Sequence, residues 1–421
     1  MDTIQNLAHA FQVQDGSRLG YFLTSVENKE IVSDIDPLSI KHDSRIAHEL
    51  KPVVEAYVEF SKIISADRNP LDVFTAFDTL MRQLNRLAES KPSWIGAALV
   101  KVTQDLIRYA MAADEFIAKN PTMMATKVVG DLEHEACLTK AARTIHGAFK
   151  LCLNDRNEDP SKSRKQYVYY FVGQEMRIYF KLQNRDLAKN MEKVLVKMSH
   201  SLPDLHNVEK SHAVMYLYYS GIVYCGDRDF EAAYKKFKAA FHLCNSKEKR
   251  HLESILVYLI PLKFIVTKKY PDLERLKSYT IAYTLYANII KSVMSGDLKL
   301  FDREFEGMEV LILKKNLYLV MEELRNFVVL KLLKRIYLAN GSNPHLSIKM
   351  ITRGIEFAKF HTSNKDIAKR NIGVFSSDEA ECLVANMIYQ GYIKGYLSHS
   401  NGVLVLSKKD PFPNQVKSDP K

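Results

Sequence analysis

The chain has 421 residues, 47% of them hydrophobic and 26% charged, so it can bury a core of two or three packed units. Its 16 glycines, roughly 4% against about 7% in average usage, leave few residues for tight turns or phosphate-cradling loops, and a mostly α protein is expected. Sixty basic against 49 acidic residues give a net charge of +11, which suits an acidic partner, nucleic acid or polypeptide, without choosing between them.

Cys137, Cys152, Cys225, Cys244 and Cys382 are widely spaced and form no CxxC pair, so reduced core thiols in an intracellular protein are expected. Met1-Asp2 is acidic where a signal peptide is basic. The longest apolar run, Ile255 to Val266, holds Pro261 and Lys263 and is shorter than the ~20 residues that span a bilayer. No membrane segment and no secretion are expected.

Residues 1 to 45 suggest short helices around Leu7, Phe11 and Tyr21-Phe22-Leu23, with a turn at Asp36-Pro37. From Ile46 to Leu153 helical periodicity holds. Ile95, Leu99, Val102, Leu106, Tyr109 and Ala110 recur near period 3.6, as do Leu138, Ala141, Ile145, Phe149 and Cys152. Asn154 to Lys165, rich in polar residues, is expected to be an exposed connection that separates this helical region from the rest.

Gly221, Tyr224, Ala233, Phe237 and Ala240 match fixed positions of the roughly 34-residue tetratricopeptide pattern. Small Gly221 and Ala233 let two antiparallel helices approach, Tyr224 and Phe237 fill the gap between helix pairs, and Asp229 starts the second helix. Upstream, Arg185-Asp186-Leu187 resembles Arg228-Asp229-Phe230 and precedes a further helical run to Met198. Stacked helix pairs then continue through Leu252 to Val266 and Leu276 to Met294, an arrangement that binds partners along a surface. Met308 to Leu338 reads as one apolar helix with Leu313, Leu317, Val320, Leu324, Val328, Leu332 and Ile336, and Lys314, Lys315, Lys331, Lys334 and Arg335 snorkelling from it. Gly341-Ser342-Asn343-Pro344 stops it, with Asn343 as N-cap and Pro344 as the first residue of a helix to about Phe360.

Ser376 and Glu379 form a capping box that opens a helix carrying Ala380, Leu383, Val384, Met387 and Ile388 on one face and ending at Gly391. Lys394 to Ser400 and Val403 to Ser407 are two strands joined by the hairpin dipeptide Asn401-Gly402. Helix, helix and hairpin is the order of a winged helix. The segment from Lys408, with its three prolines, is expected to be extended and mobile.

A helical repeat array running into a winged helix resembles the PCI domain family, shared by the proteasome lid, the signalosome and a translation initiation factor. Arg143-Thr144-Ile145-His146, Cys152-Leu153-Asn154-Asp155-Arg156-Asn157, Tyr258-Leu259-Ile260-Pro261, Ser295-Gly296-Asp297-Leu298 and Gly395 through Ser400 to Ser407-Lys408-Lys409-Asp410-Pro411-Phe412-Pro413 are similar to the signalosome subunit twelve-like branch and its mRNA-export relatives, from about Leu132 onward. Leu153 to Asn157 and Leu397 to Asn401 favour the subunit-twelve branch. The resemblance implies a non-catalytic nuclear scaffold, also allowed in the cytoplasm. It would pair with a second PCI protein and a small acidic disordered subunit of the Sem/Dss type, and act in transcription elongation, splicing or mRNA export. The boundaries expected are an N-terminal helical region at 1–155, helical repeats of the PCI module at 156–340, a winged helix at 341–411 and a mobile tail at 412–421.

No enzyme constellation assembles. His134-Glu135-Ala136-Cys137-Leu138 begins like HExxH but has leucine where the second imidazole must stand, and no phosphate-binding or nucleophile-elbow motif occurs. No cofactor or metal is expected. Three surfaces carry the functional reading. Lys181, Arg185, Lys189, Lys193 and Lys197, at four-residue spacing, form one helix face for an acidic partner, near Arg164, Lys165 and Arg177. Lys365, Lys369, Arg370, Lys394, Lys408 and Lys409 are placed to neutralise phosphates of RNA or DNA from the wing, whereas the helix Asp378 to Gln390 has three acids and no cation and does not read bases. Tyr392, Tyr396, Val403 and Val405 are apolar groups on a short hairpin, which a partner PCI protein would cover. The alternative is a purely structural subunit of a lid- or signalosome-like assembly that binds no nucleic acid.

Overall fold

The computed structural model describes residues 2–25, 35, 37–120, 135–157, 159–360 and 375–413. The chain forms two compact units, Met1–Tyr219 and Ser220–Lys421. Among the described residues no helix is long and apolar enough to cross a membrane.

The first unit is helical: α1 (Asp2–Gln12), α2 (Gly16–Thr24), α3 (Pro37–His42), α4 (Lys51–Ser65), α5 (Pro70–Ala88), α6 (Ile95–Lys119), α7 (Cys137–Leu153), α8 (Val168–Lys181), α9 (Arg185–Lys197) and the first half of α10 (Lys210–Gly226). Asn69 caps α5 from just before Pro70, its side chain accepting from the Asp72 amide at 2.9 Å. The α7 start is capped from another helix, because the Asp114 carboxylate accepts from the amides of Cys137 (2.7 Å) and Leu138 (3.0 Å). Phe60, Phe77 and Tyr109 meet edge-to-face at 4.7 to 5.7 Å and lock α4, α5 and α6 together.

The expected connection at 154–165 does not divide the compact units. The boundary falls inside α10, because the loop is tied into the first unit. Asp155 accepts from the Arg164 amide (2.6 Å), the Arg164 guanidinium donates to the Ala88 carbonyl, and Ser93 N–H donates to the Lys162 carbonyl at 3.0 Å.

One corner recurs along the chain. Gln14 (φ 59°), Gln183 (φ 57°), Arg228 (φ 60°) and Gly296 (φ 71°) take the left-handed conformation that ends a helix. Each is followed by an Asp or Asn that caps the next helix: Asp15, Asn184, Asp229 and Asp297 accept from the amide three residues on, at 2.9, 3.3, 3.0 and 2.9 Å. The expected match of Arg185-Asp186 with Arg228-Asp229 is therefore two residues out of register. Gln183-Asn184 is the equivalent pair, and Asp186 lies in the first turn of α9.

The second unit continues with the rest of α10, α11 (Phe230–Leu243), α12 (Lys249–Thr267), α13 (Leu273–Leu276), α14 (Thr280–Ser295), α15 (Leu298–Lys314) and α16 (Tyr318–Ala339). A Cβ on Gly221 would fall 2.5 Å from the Phe237 ring, so only glycine lets α10 and α11 come this close. Phe237 in turn stacks on Tyr258 at 4.7 Å, and the Tyr258 hydroxyl donates to the Lys315 carbonyl at 2.8 Å. Pro261 inside α12 has no N–H for the Val257 carbonyl one turn back. The buried Tyr286 hydroxyl of α14 donates to that carbonyl instead, a compensation worth about 1–3 kcal/mol.

Met308 to Leu338 is not one helix. Asn316 adopts φ 55°, the chain reverses, and α16 starts at Tyr318. Two helices with different buried faces were superposed in that pattern: Leu313 is exposed on α15, while Val320, Leu324, Val328 and Leu332 are buried on α16.

The winged helix comprises β1 (His345–Ser347), α17 (Ile348–Phe360), α18 (Ser377–Tyr389), β2 (Gly395–Ser398) and β3 (Val403–Leu406). Asn343 does not cap a helix and Pro344 does not start one. The Asn343 side chain accepts from His345 N–H (2.9 Å), the Pro344 carbonyl accepts from Leu406 N–H (2.8 Å), and three residues of strand precede α17. The sheet is antiparallel, ordered β1-β3-β2. The hairpin strands are shorter than expected, because the turn takes four residues, His399 to Gly402, with Gly402 alone left-handed (φ 58°).

Candidate interaction surfaces

Strand alternation divides the sheet into two faces. Leu346, Leu404 and Leu406 point into the core. The other face shows two rows across the strands, His345–Val405–Tyr396 and Ser347–Val403–Ser398. Tyr396 is 63% exposed, and Val403 and Val405 are half-buried. Tyr392 does not belong here. It is 4% exposed, its ring lies edge-on to Phe327 at 5.4 Å, and its hydroxyl donates to Glu323 of α16. Burial beside that carboxylate pushes its phenol pKa up. It is a packing residue that seats the winged helix on α16, and the open face retains three of the four expected side chains.

The helix α18 carries the expected capping box, with Ser376 and Glu379 bonded both ways at 2.8 and 3.0 Å. Its Glu381 meets His399 of the wing turn at 2.7 Å, and that hydrogen bond raises the imidazole pKa. The wing turn is thus folded onto an acidic helix. Lys394 faces Asp410 at 4.0 Å, while Lys408 and Lys409 are exposed. Lys365, Lys369 and Arg370 lie outside the described residues.

The cations at 181–197 do not form one helix face. Lys181 closes α8, the chain turns at Gln183, and Arg185, Lys189, Lys193 and Lys197 lie on α9. Ala188, Met191, Glu192 and Leu195 form the buried side of α9. Its outer side mixes exposed Leu187, Val194 and Val196 with Arg185, Lys193 and Lys197, which have no ion-pair partner among the described residues. The periodicity could not show these apolar groups as exposed. Arg164 is taken by the loop contacts above.

Among the described residues no cluster of three or more His, Cys, Asp or Glu could hold a metal. His134 lies outside them, and Cys137 is a buried thiol pushed up to about 12, by burial first and by Asp114 next.

The PCI domain family matches residues 303–408, from α15 to the end of the sheet. The chain is 32% identical over 393 residues to the COP9 signalosome complex subunit 12 of Eremothecium gossypii, covering 91% of this chain and 92% of that one. The chain belongs to the CSN12 family of PCI-domain proteins. It is also 30% identical to a CSN12 homolog of Debaryomyces hansenii, over 88% of this chain and 87% of the relative. A more distant relative, 28% identical, is PCI domain-containing protein 2 of Xenopus laevis, covered over 77% of this chain and 74% of its own.

The motifs that pointed to this CSN12-type family hold helices together. Thr144 donates to Asp78 (2.6 Å), Asn85 donates to the Thr144 carbonyl (3.0 Å), and His146 lies 3.0 Å from Glu175, so one turn of α7 is tied to α5 and α8. Asp155, Pro261 and Gly296-Asp297 build the loop, the proline-containing helix and the corner already described.

Proposed function

We propose that this chain is a non-catalytic scaffold subunit of a signalosome-like assembly, pairing with a second PCI protein through the open sheet face of its winged helix. The observation that carries the reading is Tyr396 standing exposed beside half-buried Val403 and Val405 on one face of the sheet, a face that the described residues leave open at Tyr396. An apolar strip on a short strand is a liability unless a partner covers it. Tyr396→Glu with Val405→Glu is expected to weaken pairing at least ~30-fold, the scale of an interface hot spot, with circular dichroism unchanged. The partner is the PCI protein that co-purifies with the wild-type chain, measured by titration; undiminished affinity rejects the face.

The α9 surface supports a second, small acidic partner of the Sem/Dss type, since Arg185, Lys193 and Lys197, without an ion-pair partner among the described residues, lie among exposed aliphatic groups. Lys193→Glu with Lys197→Glu is expected to release an acidic chain from the purified complex while the PCI pair persists. Retention of that chain after a 0.5 M-scale salt wash, where surface charge is screened to a few Å, removes α9 from the contact.

Nucleic-acid contact is the less favoured reading, because α18 is acidic and Lys394 faces Asp410. It rests on Lys408 and Lys409. Lys408→Glu with Lys409→Glu would flatten the salt dependence of RNA binding by the nuclear complex by roughly two log units per log salt, one counterion for each contact. An identical slope leaves a purely structural subunit.

A further inference from the structure

The residues that follow β3 do not run free. Asp410 takes φ 51° and turns the chain back, the Pro411 carbonyl accepts from Lys394 N–H at 2.9 Å, and Phe412 is 3% exposed against Tyr337 of α16, with ring centroids 5.6 Å apart. The Ser407 hydroxyl closes the turn, donating to the Lys409 carbonyl at 3.0 Å and accepting from the Lys409 amide at 3.2 Å. The expected mobile tail therefore starts wrongly at 412: Phe412 is packed, and 414–421 lie outside the described residues. Pro411 and Pro413 fix φ on both sides of Phe412, so docking its ring costs little backbone entropy.

Phe412 is a second aromatic anchor on α16, in addition to the packing of Gly354 of α17 on Ile336 and the hydrogen bond that Asn326 donates to Gln390 at 3.3 Å. Tyr392 holds the winged helix at Glu323 and Phe327, roughly 15–20 Å along α16 from Tyr337 at about 1.5 Å per residue. A contact at the far end of a rigid helix has the longest lever against rotation of the winged helix about the others. The hydrogen bond from Lys394 to Pro411 joins the second anchor to the first residue before β2, the strand that carries Tyr396.

We propose that Asp410–Pro413 is a strap that fixes the angle of the winged helix on α16 and so orients the pairing face. For the role of that face the proposal rests on the pairing reading; the strap itself does not. The test uses the full chain with no partner. Cys382, exposed on α18, takes one spin label, and Glu309→Cys on α15 takes the other, in a Cys244→Ser background. One narrow distance distribution is expected for the parent and for Phe412→Leu. Phe412→Ala should broaden it and speed exchange of the Lys394 amide at least ~10-fold, with the thermal midpoint of the first unit unmoved. If Phe412→Ala does not fold, Tyr337→Leu removes the same contact from the other side. An unchanged distribution with Lys394 exchange within about twofold of the parent, on the scale of local opening, overturns the strap. Because neither readout involves a partner, loss of pairing in Tyr396→Glu bears on the pairing face alone.

Discussion

Phe237→Ala is expected to destabilise the chain by about 3–5 kcal/mol, read as a lower urea midpoint with an unchanged slope. The side chain is fully buried, stacks on Tyr258, and touches the helix backbone that Gly221 brings close. Gly221→Val fails for the opposite reason, since its Cβ alone would overlap the ring, and about 1–3 kcal/mol of overpacking follows. Combining them should cost clearly less than the sum, because the valine enters the space the ring has left. Strict additivity, or a Phe237→Ala cost below about 1 kcal/mol, would show that the pair does not share one packed space.

Those two residues were legible beforehand because a small residue facing an aromatic across two helices leaves a fixed spacing in the sequence. The capping box at Ser376 and Glu379 was legible because both halves of it lie within one turn. Longer-range facts were not. The strand β1 is three residues long, too short to show a period, and the Asn343-Pro344 pair before it serves a turn as well as a helix start. The break at Asn316 was hidden because asparagine reaches the left-handed region without the glycine that marked Gly296. Tyr392 and Tyr396 look alike in sequence. Only the strand register, with Tyr396 opposite Val405 and Tyr392 outside the strand beside Phe327, separates a surface group from a buried one. Prolines around Phe412 suggested an extended tail, whereas the same fixed φ values make a short segment cheap to dock. Family resemblance worked for a related reason: its motif residues sit at helix corners and buried struts, where geometry admits few alternatives.

His146→Ala is expected to cost about 3 kcal/mol near neutral pH, although the imidazole is partly exposed, because of what it leaves behind. Glu175 is fully buried in α8, with Oε2 taking the contacts from His146 (3.0 Å) and the Tyr179 hydroxyl (3.2 Å) and Oε1 lacking a partner among the described residues. Burial raises its pKa, and the hydrogen bond from His146 offsets part of that rise. As pH climbs, the unfolded chain gives up this proton first while the folded chain still holds it. The contribution of Glu175 is therefore complete below the ordinary carboxylate range and is lost as pH rises through the raised folded value. Removing His146 raises that value further and deepens the loss at neutral pH. Glu175→Met should abolish this part of the slope, and His146→Leu with Glu175→Met should lie within about 1 kcal/mol of wild type, since an apolar pair of similar volume needs no desolvation. Urea midpoints at intervals from pH 4 to pH 8 decide it: if wild type and Glu175→Met run parallel across that range, Glu175 binds its proton equally in the folded and the unfolded chain, burial does not raise its pKa, and the strut from α7 to α8 acts by packing alone.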